Sequence, residues 1–145
     1  MSQSFYGSYT VAGKFEDAVR KWAQHTGKSL ENVATASFLD VAGGVIRDTP
    51  VDKGHLRANW RVGIDAPATG QLDITDPSGQ ATQAALVNQA PNIFGRLVYF
   101  TNNLPYARRI EYEGYSSIKA PQGMLRININ RFTDAVERAI RESKK

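Results

Sequence analysis

The chain has 145 residues, 41% hydrophobic and 22% charged, which suits one globular domain over 1–145 and argues against wholesale disorder. Eighteen basic residues against fourteen acidic ones give a formal charge of +4, mildly basic and short of a dedicated polyanion binder. Cysteine is absent, which removes disulfides, thiolate metal sites and cysteine nucleophiles; no apolar run approaches the ~20 residues of a membrane helix, and the opening Met1-Ser-Gln-Ser-Phe-Tyr-Gly lacks the basic and apolar regions of a secretory leader.

Residues 1–13 read as an N-terminal arm. Phe15, Ala18, Val19, Trp22 and Ala23 then recur at helical spacing, and the row stops at Thr26-Gly27. Ser29 is a candidate N-cap for a longer helix whose apolar row runs Leu30, Val33, Ala34, Phe38, Val41, Ala42, Val45, Ile46. Gly43-Gly44 interrupts that row, each costing about 1 kcal/mol against alanine. Either a neighbour approaches closely there or the helix is weakened. Pro50 ends the segment, because the residue before proline is pushed out of the helical region.

Trp60-Arg-Val-Gly-Ile-Asp alternates as a half-buried strand does, and 64–80 reads as an exposed loop rich in Pro, Gly, Asp and Thr. Ala81–Ala90 is a short helix stopped by Pro91, and Arg96–Thr101 a second strand. Tyr106–Glu113 is a helical turn closed by Gly114. A last helix opens at Pro121, where a proline is tolerated at the first position, although Leu125, Ile127 and Ile129 alternate, so a strand over 123–129 competes. The end of the chain, 142–145, reads as frayed. The expected class is α+β: a small twisted antiparallel or mixed sheet packed against a long N-terminal helix pair and a C-terminal helix.

The charges are unevenly placed. Between Val62 and Gly95 the only charged residues are Asp65, Asp73 and Asp76, a balance of −3, whereas Arg96, Arg108, Arg109, Lys119 and Arg126 against Glu111 and Glu113 make 96–126 +3. From Arg47 to Arg61 the balance is +2. Faces of opposite sign orient a docking event more than they strengthen it.

Catalytic chemistry finds little purchase. His25 and His55 are the only histidines and sit in no metal-ligand spacing. Gly7 to Lys14 departs from a phosphate loop by one extra residue between the glycines, and Phe15 stands where a Ser or Thr would hold magnesium. Glu111 and Glu113 are two apart and share no helical face. The expectation is a protein that is no enzyme and uses no metal or cofactor.

Three punctuated segments carry more information. In Thr49-Pro-Val-Asp-Lys-Gly-His-Leu-Arg-Ala-Asn-Trp60, Pro50 stops the helix, Asp52 is placed for an Asx turn, and Gly54 permits a positive φ. Leu56 and Trp60 share one side of a helical turn, leaving Arg57 to point elsewhere and pair. In Tyr99 to Gly114, Asn102-Asn103 and Pro105 turn the chain, and Tyr106, Ala107 and Ile110 anchor a short helix beside Arg108, Arg109 and Glu111. The third segment, Ala120-Pro121-Gln-Gly123-Met124-Leu125, opens the last element. Trp60, Tyr106 and Met124 are expected in the core.

Taken in order, these segments resemble the tail-completion (neck, minor tail protein Z-like) proteins of long-tailed bacteriophages. The family pattern is TPVDTG-L-R-W after a long helix, a strand, N-x-x-x-YA-x-x-IE with a nearby glycine, and aPxGm before a terminal helix. The match runs from about residue 29 to 143. Lys53 replaces the usual threonine, and Glu113 separates Tyr112 from Gly114.

The resemblance implies a structural virion protein assembled in the bacterial cytoplasm: a subunit of a homo-oligomeric ring, commonly a hexamer, between the head-side connector or stopper and the tail terminator or tail tube. Non-specific DNA would pass through its lumen, with no membrane involved. The candidate structural or interface residues are Thr49, Pro50, Asp52, Gly54, Leu56, Arg57, Trp60, Asn102, Tyr106, Glu111, Gly114, Pro121, Gly123 and Met124 from the three segments, with Arg108 and Arg109 added from the basic stretch. Another head–tail connector part, a stopper or tail terminator, is the nearest alternative. A basic nucleic-acid-binding module is a more distant one.

Overall fold

Helical spacing near the front of the chain produces helix α1, Phe5–Thr26. It begins at Phe5, so most of the segment expected as an arm is helical. It ends where expected: Gly27 has φ +70° and its N–H donates to Ala23 O at 3.1 Å, a left-handed glycine stop. The computed structural model describes residues 5–90, 95–113 and 123–143. Gly114, Lys119, Pro121 and Pro91, named above, lie outside them.

Ser29 caps helix α2, Leu30–Asp48, its Oγ accepting from Asn32 N at 3.2 Å. Thr49 is extended, as the following Pro50 requires. Helix α3, His55–Ala58, leads directly into strand β1, Trp60–Ile64, and helix α4, Gln80–Gln89, follows the loop. Strand β2, Val98–Asn102, is followed by helices α5, Ala107–Glu113, and α6, Leu125–Ser143.

Residues 125–129 are therefore helical. Their alternation reflects a helix that buries Ile129 and Asn128 and leaves Leu125 and Ile127 half-buried. The helix begins at Leu125, after Gly123 at φ +89°, which cannot belong to it; the start expected at Pro121 lies outside the described residues. It continues through Glu142 and Ser143, part of the stretch expected to be frayed.

The described residues make a small α+β fold of six helices and one two-stranded antiparallel sheet. The register pairs Trp60 with Asn102, Val62 with Phe100 and Ile64 with Val98. Opposite residues of an antiparallel pair point to the same side of the sheet, and this apolar side faces α2. Phe100 stacks on Trp60 at 4.9 Å and meets Phe38 of α2 edge-on at 6.0 Å. The core joins Val41, Val45 and Ile46 of α2 to Leu56, Trp60, Leu86, Leu104, Ile110, Met124 and Ile129. A second cluster, Val19, Ala23 and Val33, seals α1 to α2, and Phe15 meets Phe132 of α6 at 5.4 Å. Among the described residues no helix is long and apolar enough to cross a membrane.

The glycine pair in α2 marks close approach by side chains. A β-carbon on Gly44 would stand 2.0 Å from Asn128 Oδ1 and 2.9 Å from its Cγ, and Gln83 Nε2 donates to Gly43 O at 3.0 Å. Asn128 is buried and cannot withdraw cheaply, since its Nδ2 donates to Met124 O and to Asp48 Oδ2. Gly44→Ala should therefore destabilise by about 1–3 kcal/mol in chemical denaturation, against a helix-propensity gain of only ~1 kcal/mol. Gly43→Ala, which meets Gln83 Oε1 at 3.3 Å, should cost less.

Candidate functional site

Glu111 stands at the junction of the second and third segments. It lies on the inner side of α5 and is 8% exposed. Its Oε1 accepts from Met124 N and Leu125 N, both at 2.7 Å, and its Oε2 accepts from Arg126 N at 3.0 Å. The first N–H groups of a helix have no partner within it and carry partial positive charge. Here a carboxylate 14 residues upstream of Leu125 satisfies them. Arg126 completes the pair, its Nε reaching Oε2 at 3.0 Å and its Nη2 bonding Glu111 O. Gly123 is required by the same contact: a β-carbon there would lie 2.5 Å from Glu111 O and 2.7 Å from Oε2. Met124 is fully buried beside it.

The first segment closes on itself. Thr49 Oγ1 donates to Val45 O at 2.7 Å and accepts from Trp60 Nε1 at 2.8 Å, so the end of α2 and the start of β1 share one buried hydroxyl. Among the described residues Arg57 pairs with no carboxylate. Its guanidinium bonds Arg47 O at 2.9 Å, Thr49 O at 3.1 Å and Pro77 O, covering the unsatisfied carbonyls where α2 ends. Gly54, at φ +92°, would bring a β-carbon within 2.5 Å of Pro77 N. Asn102 joins this segment to the second: its Nδ2 donates to Leu56 O at 2.8 Å and its Oδ1 accepts from Leu104 N.

Several expectations need correction. Asp52 is exposed and forms no Asx turn or other hydrogen bond among the described residues. That role falls to Asp76, whose Oδ2 accepts from Thr82 N at 2.8 Å and Thr82 Oγ1 at 2.7 Å and so caps α4 from outside. Tyr106 is 36% exposed, since the inner side of α5 is taken by Ala107, Ile110 and Glu111. Arg108 and Arg109 are exposed, and the Arg108 and Arg126 guanidinia lie 5.2 and 4.6 Å from the Tyr112 ring.

The expected exposed loop is irregular over 65–79 but is gripped by its backbone. Asn59, fully buried, donates to Leu72 O at 3.1 Å and accepts from Leu72 N at 2.8 Å, while His55 Nε2 also donates to Leu72 O. Arg61 bonds Thr69 O and Gly70 O, and Asn103 bonds Ala68 O and Gly70 O.

Asn59, Asn103, Asp76 and Asn128 were not among the candidate site residues, although Asn103 was read as a turn residue and Asp76 as part of the acidic stretch. The available signals were an asparagine directly before the buried Trp60, a second asparagine beside Asn102, an Asp-Pro-Ser-Gly run before α4, and Asn128 four residues after Met124. The acidic and basic stretches also meet within the chain. Asp65 pairs with Arg96, and the Arg96 hydrogen bond is the main reason its carboxyl is held below the usual value.

The arrangement supports anchoring more readily than turnover: it is a set of hydrogen bonds directed at helix ends and loop carbonyls. An open groove between α1 and α6 is lined by Lys21, Gln24, His25, Glu137 and Arg141, remote in sequence from the three segments. Among the described residues no three His, Asp or Glu side chains gather as a metal site. In comparisons with protein-family models, curated proteins and solved structures, nothing matches this chain.

Three variants check this account. Glu111→Ala, which leaves three N–H groups and a guanidinium without their acceptor, should destabilise by about 3 kcal/mol in urea. Arg126→Ala should cost about 1 kcal/mol, because its side chain is 35% exposed. For Asp76, burial acts to raise the carboxyl pKa, but the Thr82 hydroxyl, the N–H groups of Thr82 and Gly79 and the Arg57 charge outweigh it, and the net shift is downward from 3.8. The unfolded chain then takes up this proton more readily than the folded one, so the Asp76 contribution is complete above 3.8 and is lost as pH falls through the lower folded value. Thermal midpoints should fall less between about pH 6 and 3 in Asp76→Asn than in the parent chain.

Proposed function

We propose that this chain is a structural protein of a bacteriophage virion, a tail-completion subunit that assembles into a ring at the neck and joins the tail to the head connector around the DNA channel. One observation carries the reading: the three segments that resemble the neck family hold one another in place. Thr49 of the first bonds Trp60, Asn102 of the second bonds Leu56 O of the first, and Glu111 of the second caps the helix opened by Gly123-Met124 of the third. Segments spread over more than seventy residues thus behave as one unit, which is what an ordered family signature implies and what chance matches to short turns do not.

The chemistry needed by such a subunit is modest: rigid loops, faces that recognise a neighbour, and no bond made or broken. A ring arises from a heterologous contact repeated until it closes, so the two faces of each subunit differ. Arg108 and Arg109 stand exposed on α5 and are available for such a face.

Location decides the matter. Gold-labelled antibody or cryo-electron microscopy of infectious particles should place the chain as a collar at the head–tail junction; its absence from particles would end the proposal. Arg108→Glu combined with Arg109→Glu should reduce assembly measured by light scattering and lower infectious titre, with the monomer fold unchanged by circular dichroism.

A further inference from the structure

Most of the charge on the acidic and basic stretches is engaged inside the subunit. Asp65 is paired with Arg96, Asp76 caps α4, and Arg126 is held by Glu111. Among the described residues this leaves Asp73 on the loop, and Arg108, Arg109 and Glu113 on α5, as the exposed charges of those two stretches outside these contacts, so the α5 surface keeps one net positive charge against one negative charge on the loop. Each stands next to exposed apolar surface. Ile74, directly after Asp73, is 54% exposed, and Tyr106 and Tyr112 flank the two arginines at 36% and 41%.

We infer that the loop tip at Asp73-Ile74 docks onto the α5 surface of Tyr106, Arg108, Arg109 and Tyr112 on a second copy of this chain. The inference rests on the ring reading above and names the contact that would build it. Three features support this occupant. The loop is ordered before docking, because side chains of Asn59, Arg61 and Asn103 hold its carbonyls while Asp73, Ile74 and Thr75 point outward. Association therefore need not order this loop again.

The receiving surface is also fixed. Ala107, Ile110 and Glu111 anchor α5 from beneath, and Arg126, tied to Glu111, lies against the Tyr112 ring. Finally, the two surfaces are complementary: an acid beside an aliphatic side chain meets two guanidinia between aromatic rings, where Tyr and Arg are residues enriched at interfaces and opposite charges orient the docking. One copy presents both surfaces, so the contact can propagate from subunit to subunit.

The cysteine-free sequence allows a direct test. Thr75→Cys and Pro105→Cys flank the two surfaces without removing the residues invoked or any charge, and both positions are exposed. Mixed at high concentration under mild oxidation, the two variants should form a disulfide dimer several-fold more abundant than either forms alone, read on a denaturing gel. Adding Asp73→Arg to the first variant should suppress the dimer, and adding Arg108→Asp with Arg109→Asp to the second should restore it. A mixture that cross-links no better than its components, or a dimer indifferent to Asp73→Arg, would overturn the contact. Failure here removes this pairing and leaves the virion reading to imaging of particles. A cross-link by a chain that particles lack removes the virion reading and leaves the pairing.

Discussion

The carboxylate of Glu111 on the open end of α6 is the interaction on which the arrangement depends. Helix α6 packs against both α1 and α2, so its position decides whether the clusters around Val19 and Ile46 are sealed. A helix start has several N–H groups with no partner of their own. Supplying that partner from α5 makes the position of one helix a condition for the other. Gly123 is part of the same device, because any side chain there would occupy the space the Glu111 backbone and carboxylate need.

The same economy recurs where α2 ends. Arg57 covers the last carbonyls of that helix and reaches across to Pro77, while the buried Thr49 hydroxyl links helix to strand. A two-stranded sheet is marginal by itself. Here it is stabilised by the aromatic contacts of Trp60, Phe100 and Phe38 on one side. On the other the returning loop approaches so closely that a β-carbon on Gly63 would fall 2.2 Å from Ala66 O. Polar side chains from α3, β1 and the segment after β2 thus do for the loop what an apolar core does for the helices.

Much of this architecture was legible in the residues. The end of the first helix, the second helix with its Ser29 cap and Pro50 stop, and the strand at Trp60 follow from spacing and local chemistry, and they appear where that chemistry puts them. The exact start of α6 was not legible, because Pro121 offers a local start signal whereas the true start is set by Glu111, distant in sequence. Asp52 and Asp76 make the same point as a pair. Both sit in turn-like contexts, but only Asp76 finds Thr82 in reach, and that proximity depends on the path of the whole loop. The candidate interface residues divide on similar grounds. Thr49, Gly54, Leu56, Trp60, Glu111, Gly123 and Met124 work inside the subunit, whereas Tyr106, Arg108 and Arg109 look outward.

The placement of the two tryptophans gives the molecule a pair of separate optical reporters. Trp60 has its indole N–H on the Thr49 hydroxyl and its ring against Phe100, so its emission follows the seam between helix and sheet. Trp22 is half-buried on α1 and stacks on the His25 imidazole at 5.6 Å, so its emission follows the docking of the first helix. Loosening at either end of the subunit therefore carries its own spectral signature, with no label attached.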